Sequence, residues 1–330
     1  MSGHVRLALA VVSGLLVAVG AWSGAVGVER SSFDLPPSAA RAAPAPWLVY
    51  QTVTMVLPLD CTSPYEVHRL RTWPGGSVLL SRSGSTADDP AWSPDGTRVA
   101  FSSGDLLCDN GSGITQGDAQ IWVVDSSGRN LHAITKGNPV TGGPIDRSPT
   151  IGRPRRRIAF ARYDTYSRYR RNGGLYVVGA DGRGLTRLSR QTALSLDWSP
   201  DGRSLAFTAG LWEIWGGTSL DKVGLLDFGS GRVRTYRVTE AADISWSPDS
   251  RSIAVMGNTV ISILTTTGKV VRRIPVGRSA WLNTVTWSPD GRRLAYSLGG
   301  PNFRGSIFTV GIDGRDTKRI APGLAPDWKP

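Results

Sequence analysis

The chain is short of the residues that build metal centres. It has two Cys and three His in 330 residues, too few for a zinc finger, an iron–sulfur cluster or a His-rich metalloenzyme. No His-Glu-x-x-His occurs, and no Gly-x-Ser-x-Gly, which removes the signatures of zincin proteases and of the α/β-hydrolase nucleophile elbow. None of the Gly-rich turns opens a helix, so none is a phosphate cradle. The stretch Asp109–Asp118 is rich in oxygen ligands but lacks the spacing of a calcium loop. No metal and no cofactor are expected. After residue 28 there is no second long apolar run.

Turn formers are abundant: 40 Gly and 21 Pro, beside 12 Trp. That density argues for many short strands over long helices. With 40% hydrophobic and 19% charged residues, a packed core is possible. The formal charge is +12, carried mostly by Arg, which favours anionic surfaces or polymers as partners.

His4 and Arg6 precede a charge-free stretch from Leu7 to Val28, closed by Glu29 and Arg30. A basic start before an apolar segment fits export. Ser23 and Ala25 are placed for cleavage after Ala25. The other reading is an uncleaved apolar helix, since 22 residues at ~1.5 Å each reach ~33 Å, enough to span a bilayer. Residues 1–30 are therefore a signal peptide or a membrane anchor, 31–43 a linker, and 44–330 the folded part. Export would place Cys61 and Cys108 where a disulfide persists, and the pair is expected to be bridged.

The folded part is one unit repeated. Pro90–Phe101 contains Trp92-Ser-Pro-Asp-Gly, which returns at Trp198, at Trp246 (with Ser in place of Gly) and at Trp287. A degraded copy has Ile151 at the anchor, and a truncated copy ends the chain at Trp328. The anchor intervals are 59, 47, 48, 41 and 41, the period of propeller blades. Each repeat reads as four short strands, a to d, bounded by turns. The N-terminal strands, expected at Trp47–Tyr50, Glu66–Arg69 and Ser77–Leu80, lack an a strand and the C-terminus supplies one at Ala325–Trp328, so the two ends are expected to complete one blade. The expectation is an all-β, six-bladed propeller with four-stranded antiparallel blades.

The Trp-Ser-Pro-Asp-Gly repeats resemble those of the TolB-like β-propeller family, relatives of the WD-repeat propellers. The resemblance covers roughly residues 44–330 and is confined to the propeller part of that family. It implies an extracytoplasmic scaffold that binds protein.

The repeated Trp92, Trp198, Trp246, Trp287 and Trp328 and the turn residues Asp95, Asp201, Asp249 and Asp290 read as structural. Function belongs where repeats differ, in the long b–c excursions at 52–65, 103–120, 162–174 and 209–220. There Arg168, Arg170 and Arg171, with Tyr166, could grip phosphates, uronates or an acidic protein. Trp212, Trp215 and Trp281 lie outside the repeat position and suit a protein or sugar partner, or plug the ends of the core. The leading expectation is a non-catalytic, monomeric scaffold for a protein or an anionic envelope polymer. Nucleic acid is disfavoured by export. The alternative is a carbohydrate-active lyase or hydrolase using Asp88, Asp89, Asp243 and Asp327, with Arg147, at the channel mouth.

Overall fold

A computed structural model of the chain describes residues 48–56, 65–73, 87–109, 113–136, 144–153, 157–163, 173–209, 221–277, 281–299 and 305–330. All belong to one unit, Pro44–Pro330. The apolar segment expected as an N-terminal helix lies outside them. No helix among the described residues is long and apolar enough to cross a membrane.

Strands β1 (Leu48–Val56) and β2 (Tyr65–Trp73) come first. Blade I is β3 (Asp88–Trp92), β4 (Arg98–Asp109), β5 (Gly113–Asp125) and β6 (His132–Ala133). Blade II is β7 (Ile145–Ile151), β8 (Arg157–Tyr163), β9 (Gly174–Gly179) and β10 (Thr186–Ser189). Blade III is β11 (Ala193–Trp198), β12 (Ser204–Ala209), β13 (Lys222–Asp227) and β14 (Val233–Arg237). Blade IV is β15 (Asp243–Trp246), β16 (Ser252–Met256), β17 (Val260–Thr265) and β18 (Val270–Pro275). Blade V is β19 (Trp281–Trp287), β20 (Arg293–Gly299), β21 (Gly305–Gly311) and β22 (Lys318–Pro322), and β23 (Leu324–Trp328) ends the chain.

Each blade is an antiparallel meander in chain order. The first strands touch in succession, β3 to β7, β11, β15, β19 and β23, and β23 returns to β3. They form the inner wall of an all-β propeller. The expected blade count is corrected. Five blades are four-stranded, not six, and β2, β1 and β23 make a separate three-stranded sheet among the described residues. The five blades are those whose four strands are contiguous in sequence. The closing sheet is assembled from both ends of the chain, with Leu48 opposite Trp328 and Val49 opposite Asp327. The strand expected at Ser77–Leu80 lies outside the described residues.

Two expected loop excursions are strands in part. β4 and β5 continue as a long hairpin to Cys108 opposite Ile114 and Asp109 opposite Gly113. β1 and β2 pair as far as Val56 opposite Tyr65. Backbone pairing outweighed the turn-forming composition of these segments, because an extended hairpin pairs across its ladder N–H and C=O groups that a loop would leave to water.

Core packing lies between neighbouring sheets. One cluster joins Leu175 and Val177 of blade II to Trp198, Leu205 and Phe207 of blade III. Another joins Leu48 and Trp328 of the closing sheet to Ile307 and Ala321 of blade V. No blade buries its faces alone, so the blades stack in a ring.

The repeated turn is built alike in four blades. Asp95, Asp201, Asp249 and Asp290 each accept the hydroxyl of the Ser after the anchor at 2.6 Å. Each also accepts the backbone N–H two residues on, at 3.0–3.1 Å. Gly96, Gly202 and Gly291 take positive φ there, and Ser250 takes the same conformation in blade IV.

Candidate functional site

The inner strands carry a belt of polar side chains at the position just before five of the six anchors. Those residues are Thr150, Asp197, Ser245, Thr286 and Asp327, and Ala91 holds the sixth position. The backbone N–H of Trp198 donates to Thr150 Oγ1 at 3.3 Å, and that hydroxyl donates to Asp197 Oδ1 at 3.1 Å. Asp197 Oδ2 accepts the N–H of Trp246 at 2.8 Å. Ser245 Oγ accepts the N–H of Trp287 at 3.3 Å. Thr286 donates to Asp327 Oδ1 at 3.0 Å, and Asp327 Oδ2 accepts the N–H of Trp92 at 2.7 Å. Each bond joins one inner strand to the next, and Asp327 joins the last strand of the chain to the first blade.

Two residues earlier a second layer repeats the idea. Asp243 accepts the hydroxyl of Ser195 and, at 2.7 Å, the N–H of Val285. Asp89 accepts the N–H and hydroxyl of Ser148 at 3.3 and 3.4 Å, longer than the bonds made to the carboxyls of Asp197, Asp243 and Asp327. Asp89 and Ser148 adopt positive φ (51° and 52°) where the pairing of β3 with β4 and of β7 with β8 shifts register. A bulge re-aims a side chain, here toward the neighbouring blade.

Burial raises the carboxyl pKa values. Desolvation pushes Asp197 to about 7, with the charges of Asp327 and Asp243 adding to it against its hydrogen bonds. It pushes Asp243 and Asp327 to about 6. Asp89 is raised by burial and by the Asp88 charge, against Arg147. Asp197 on β11 feels Asp327 on β23 although β15 and β19 stand between them in the ring. These carboxyls therefore face a common axis.

The mouth near β3 and β7 is a mixed cluster. Asp88 is buried and accepts Gln51 Nε2 at 2.8 Å. Asp146 is buried and holds Arg162 by two bonds at 2.6 and 2.7 Å, the bidentate geometry that suits guanidinium. The same guanidinium lies 4.9 Å from the Tyr176 ring centroid. Tyr163 donates its hydroxyl to the carbonyl of Ala193, and burial raises its pKa. Arg147 lies within electrostatic reach of Asp89 and Tyr163.

Of the residues singled out in the sequence, the structure brings together Asp89, Asp243 and Asp327, with Arg147 beside Asp89 and Asp88 next in chain. Sequence reasoning missed Asp197, Asp146, Ser148 and Ser195. The signal for Asp197 was the polar residue preceding five of the six anchors. Arg168, Arg170, Arg171, Tyr166, Trp212 and Trp215 lie outside the described residues. So does Cys61, and with it the expected disulfide to Cys108, which sits on β4. Trp281 opens β19, and only its backbone position is described. Among the described residues no group of three or more His, Cys, Asp or Glu is arranged to hold a metal ion.

No family model and no curated protein matches the sequence. Solved structures do resemble it. TolB from Acinetobacter baumannii is 19% identical with a TM-score of 0.60, over 86% of this chain and 67% of that one. A putative TolB from Agrobacterium tumefaciens is 16% identical with a TM-score of 0.54, over 75% of this chain and 86% of that one. A chain of a nidogen/laminin complex is 13% identical with a TM-score of 0.54, over 86% of this chain and 98% of that one. At these identities the likeness is one of architecture, and the chain has the TolB-like β-propeller fold.

Proposed function

We propose that this chain is an exported, non-catalytic propeller scaffold that binds a protein or an anionic envelope partner through its variable-loop face. The observation that carries the reading is the state of the axial carboxyls. Asp197, Asp243 and Asp327 each accept a backbone N–H from the next inner strand and a hydroxyl besides. A general acid or base needs its carboxyl within reach of a substrate proton; these are engaged in joining blades. The basic, apolar N-terminal segment supports an extracytoplasmic location, and membrane attachment if it stays uncleaved. The similar fold in a nidogen/laminin complex supports a protein as the partner class.

The test is capture from envelope extract with the full-length chain as bait, at low and high salt. A protein retained at both salts is the expected result. Retention of anionic polymer at low salt alone would move the function to charge-driven wall or glycan binding. No retention at either salt would overturn the scaffold reading.

One observation favours a carbohydrate-active enzyme as the second reading. Asp89 has a raised pKa, loose hydrogen bonds and Arg147 nearby. Polysaccharide turnover by the wild type that vanishes in Asp89→Asn would establish it, and its absence across a glycan panel would remove it.

A further inference from the structure

Five of the six anchor positions hold Trp, and the sixth holds Ile151. Trp198 shows how an anchor ring is held. It stacks on Phe228, the residue following β13 in its own blade, at 4.4 Å between centroids and 10° between planes. It is also approached by the residue following the anchor of the preceding blade, since a Cβ on Gly152 would stand 2.6 Å from the indole. Trp92 is covered from the same direction by Lys329, which follows Trp328; its ammonium lies 5.4 Å from the ring centroid.

In blade II the corresponding neighbours are Ser93, which follows anchor Trp92, and Ala180, which follows β9. Both are small. With Ile151 in place of an indole they leave a cleft of about 380 Å³ between blades I and II. Pro94 and Arg98 stand on one wall, Ile151 and Arg153 on the other. An apolar cavity of about 150 Å³ suffices for benzene, so the space admits a larger ring.

We propose that this cleft is a binding site for an aromatic ring, filled by a tryptophan side chain of a protein partner. The chain itself places an indole at this point of its repeat five times, so the flanks that remain are those that normally enclose one. Ile151, Pro94 and Ala180 supply apolar contact. Arg98 and the exposed Arg153 supply guanidinium groups that attract a ring face, and more so an indole than a phenyl ring. The proposal deepens the scaffold reading and rests on it.

The experiment is saturation-transfer NMR on the full-length chain with N-acetyltryptophanamide, and N-acetylalaninamide as control. The wild type transfers saturation to the indole protons and not to the control. Ile151→Trp fills the cleft from within, and Ala180→Phe fills it from the flank with its own ring. Each weakens ring binding by roughly tenfold or more while thermal unfolding stays cooperative. No transfer in the wild type, or equal transfer in both folded variants, overturns the site. Undiminished retention of a captured protein by Ile151→Trp overturns its assignment to a partner's side chain. Ring binding is read without any partner, so its failure is distinct from a failure to retain protein.

Discussion

The strands at the axis and the strands at the rim differ in charge as well as in burial. β3, β7, β11, β15, β19 and β23 carry Asp88, Asp89, Asp146, Asp197, Asp243 and Asp327, against one cation, Arg147. The edge strands β6, β10, β14, β18 and β22 carry no acid. They hold Arg187, Arg234, Arg237, Arg272, Arg273, Lys318 and Arg319, all exposed. The difference separates two jobs. Acids at the axis accept backbone N–H groups between blades, where an unpaired donor would be costly. Cations at the rim sit on unpaired sheet edges, where charge deters edge-to-edge association. The net charge of +12 describes the outside of the molecule and conceals an acidic interior.

The strongest way to break this contrast is to remove the strand that closes the inner ring. Deleting Ala325–Pro330 takes away Trp328, Asp327 and the partner of β1. Loss of one buried Trp alone costs about 3–5 kcal/mol, so the truncated chain is expected to lose its cooperative melt across all blades, followed by circular dichroism. Fraying of β1 alone, with the other blades intact, would mean that the ends do not lock the ring.

Next comes a single axial acid. Asp197→Ala strands the N–H of Trp246 and a Thr150 hydroxyl, and about 1–3 kcal/mol of stability is expected to go, measured by urea unfolding. A further effect is expected from pH. The folded pKa values of Asp197, Asp243 and Asp327 lie at about 7, 6 and 6, above their ordinary value. Folding therefore favours their protonated forms. The stability this gives is full near pH 4 and is lost as pH rises through 6 and 7. The melting temperature should fall between pH 5 and pH 8, and Asp197→Asn should flatten the fall. At the rim, Arg272→Ser with Arg273→Ser is expected to change stability within about 0.5 kcal/mol. A larger loss there would show that the edge cations pack as well as protect.

Much of the ring was legible because its signals are local. Trp-Ser-Pro-Asp-Gly fixes a tight turn by the φ of Pro, the hydrogen bonds of Asp and the positive φ of Gly, and its recurrence counts out strands. The number of complete blades was less legible, because the sheet built from the two chain ends has no contiguous repeat of its own. The segment 103–120 looked like a loop through Gly104, Gly111, Gly113 and Gly117. Cross-strand pairing, which local composition does not report, made most of it a hairpin. At the axis, Asp243 and Asp327 stood out as carboxylates, whereas Asp197 was hidden in a position that alternates among Thr, Asp and Ser. Those residue types share one ability, accepting an N–H from the next blade, and that becomes visible only when the inner strands stand side by side. The significance of Ile151 was likewise hidden. A missing Trp reads as decay in the sequence and as an open cleft in the fold.

Amide hydrogen exchange, residue by residue, tests most directly whether the axial acids join the blades. The N–H groups of Trp92, Trp246 and Val285 should be strongly protected in the wild type. Asp327→Ala should release Trp92, Asp197→Ala should release Trp246, and Asp243→Ala should release Val285, each with far less effect on the other two. Unchanged protection at all three amides would contradict the assignment of these carboxyls to blade joining and return them to the pool of groups available for chemistry.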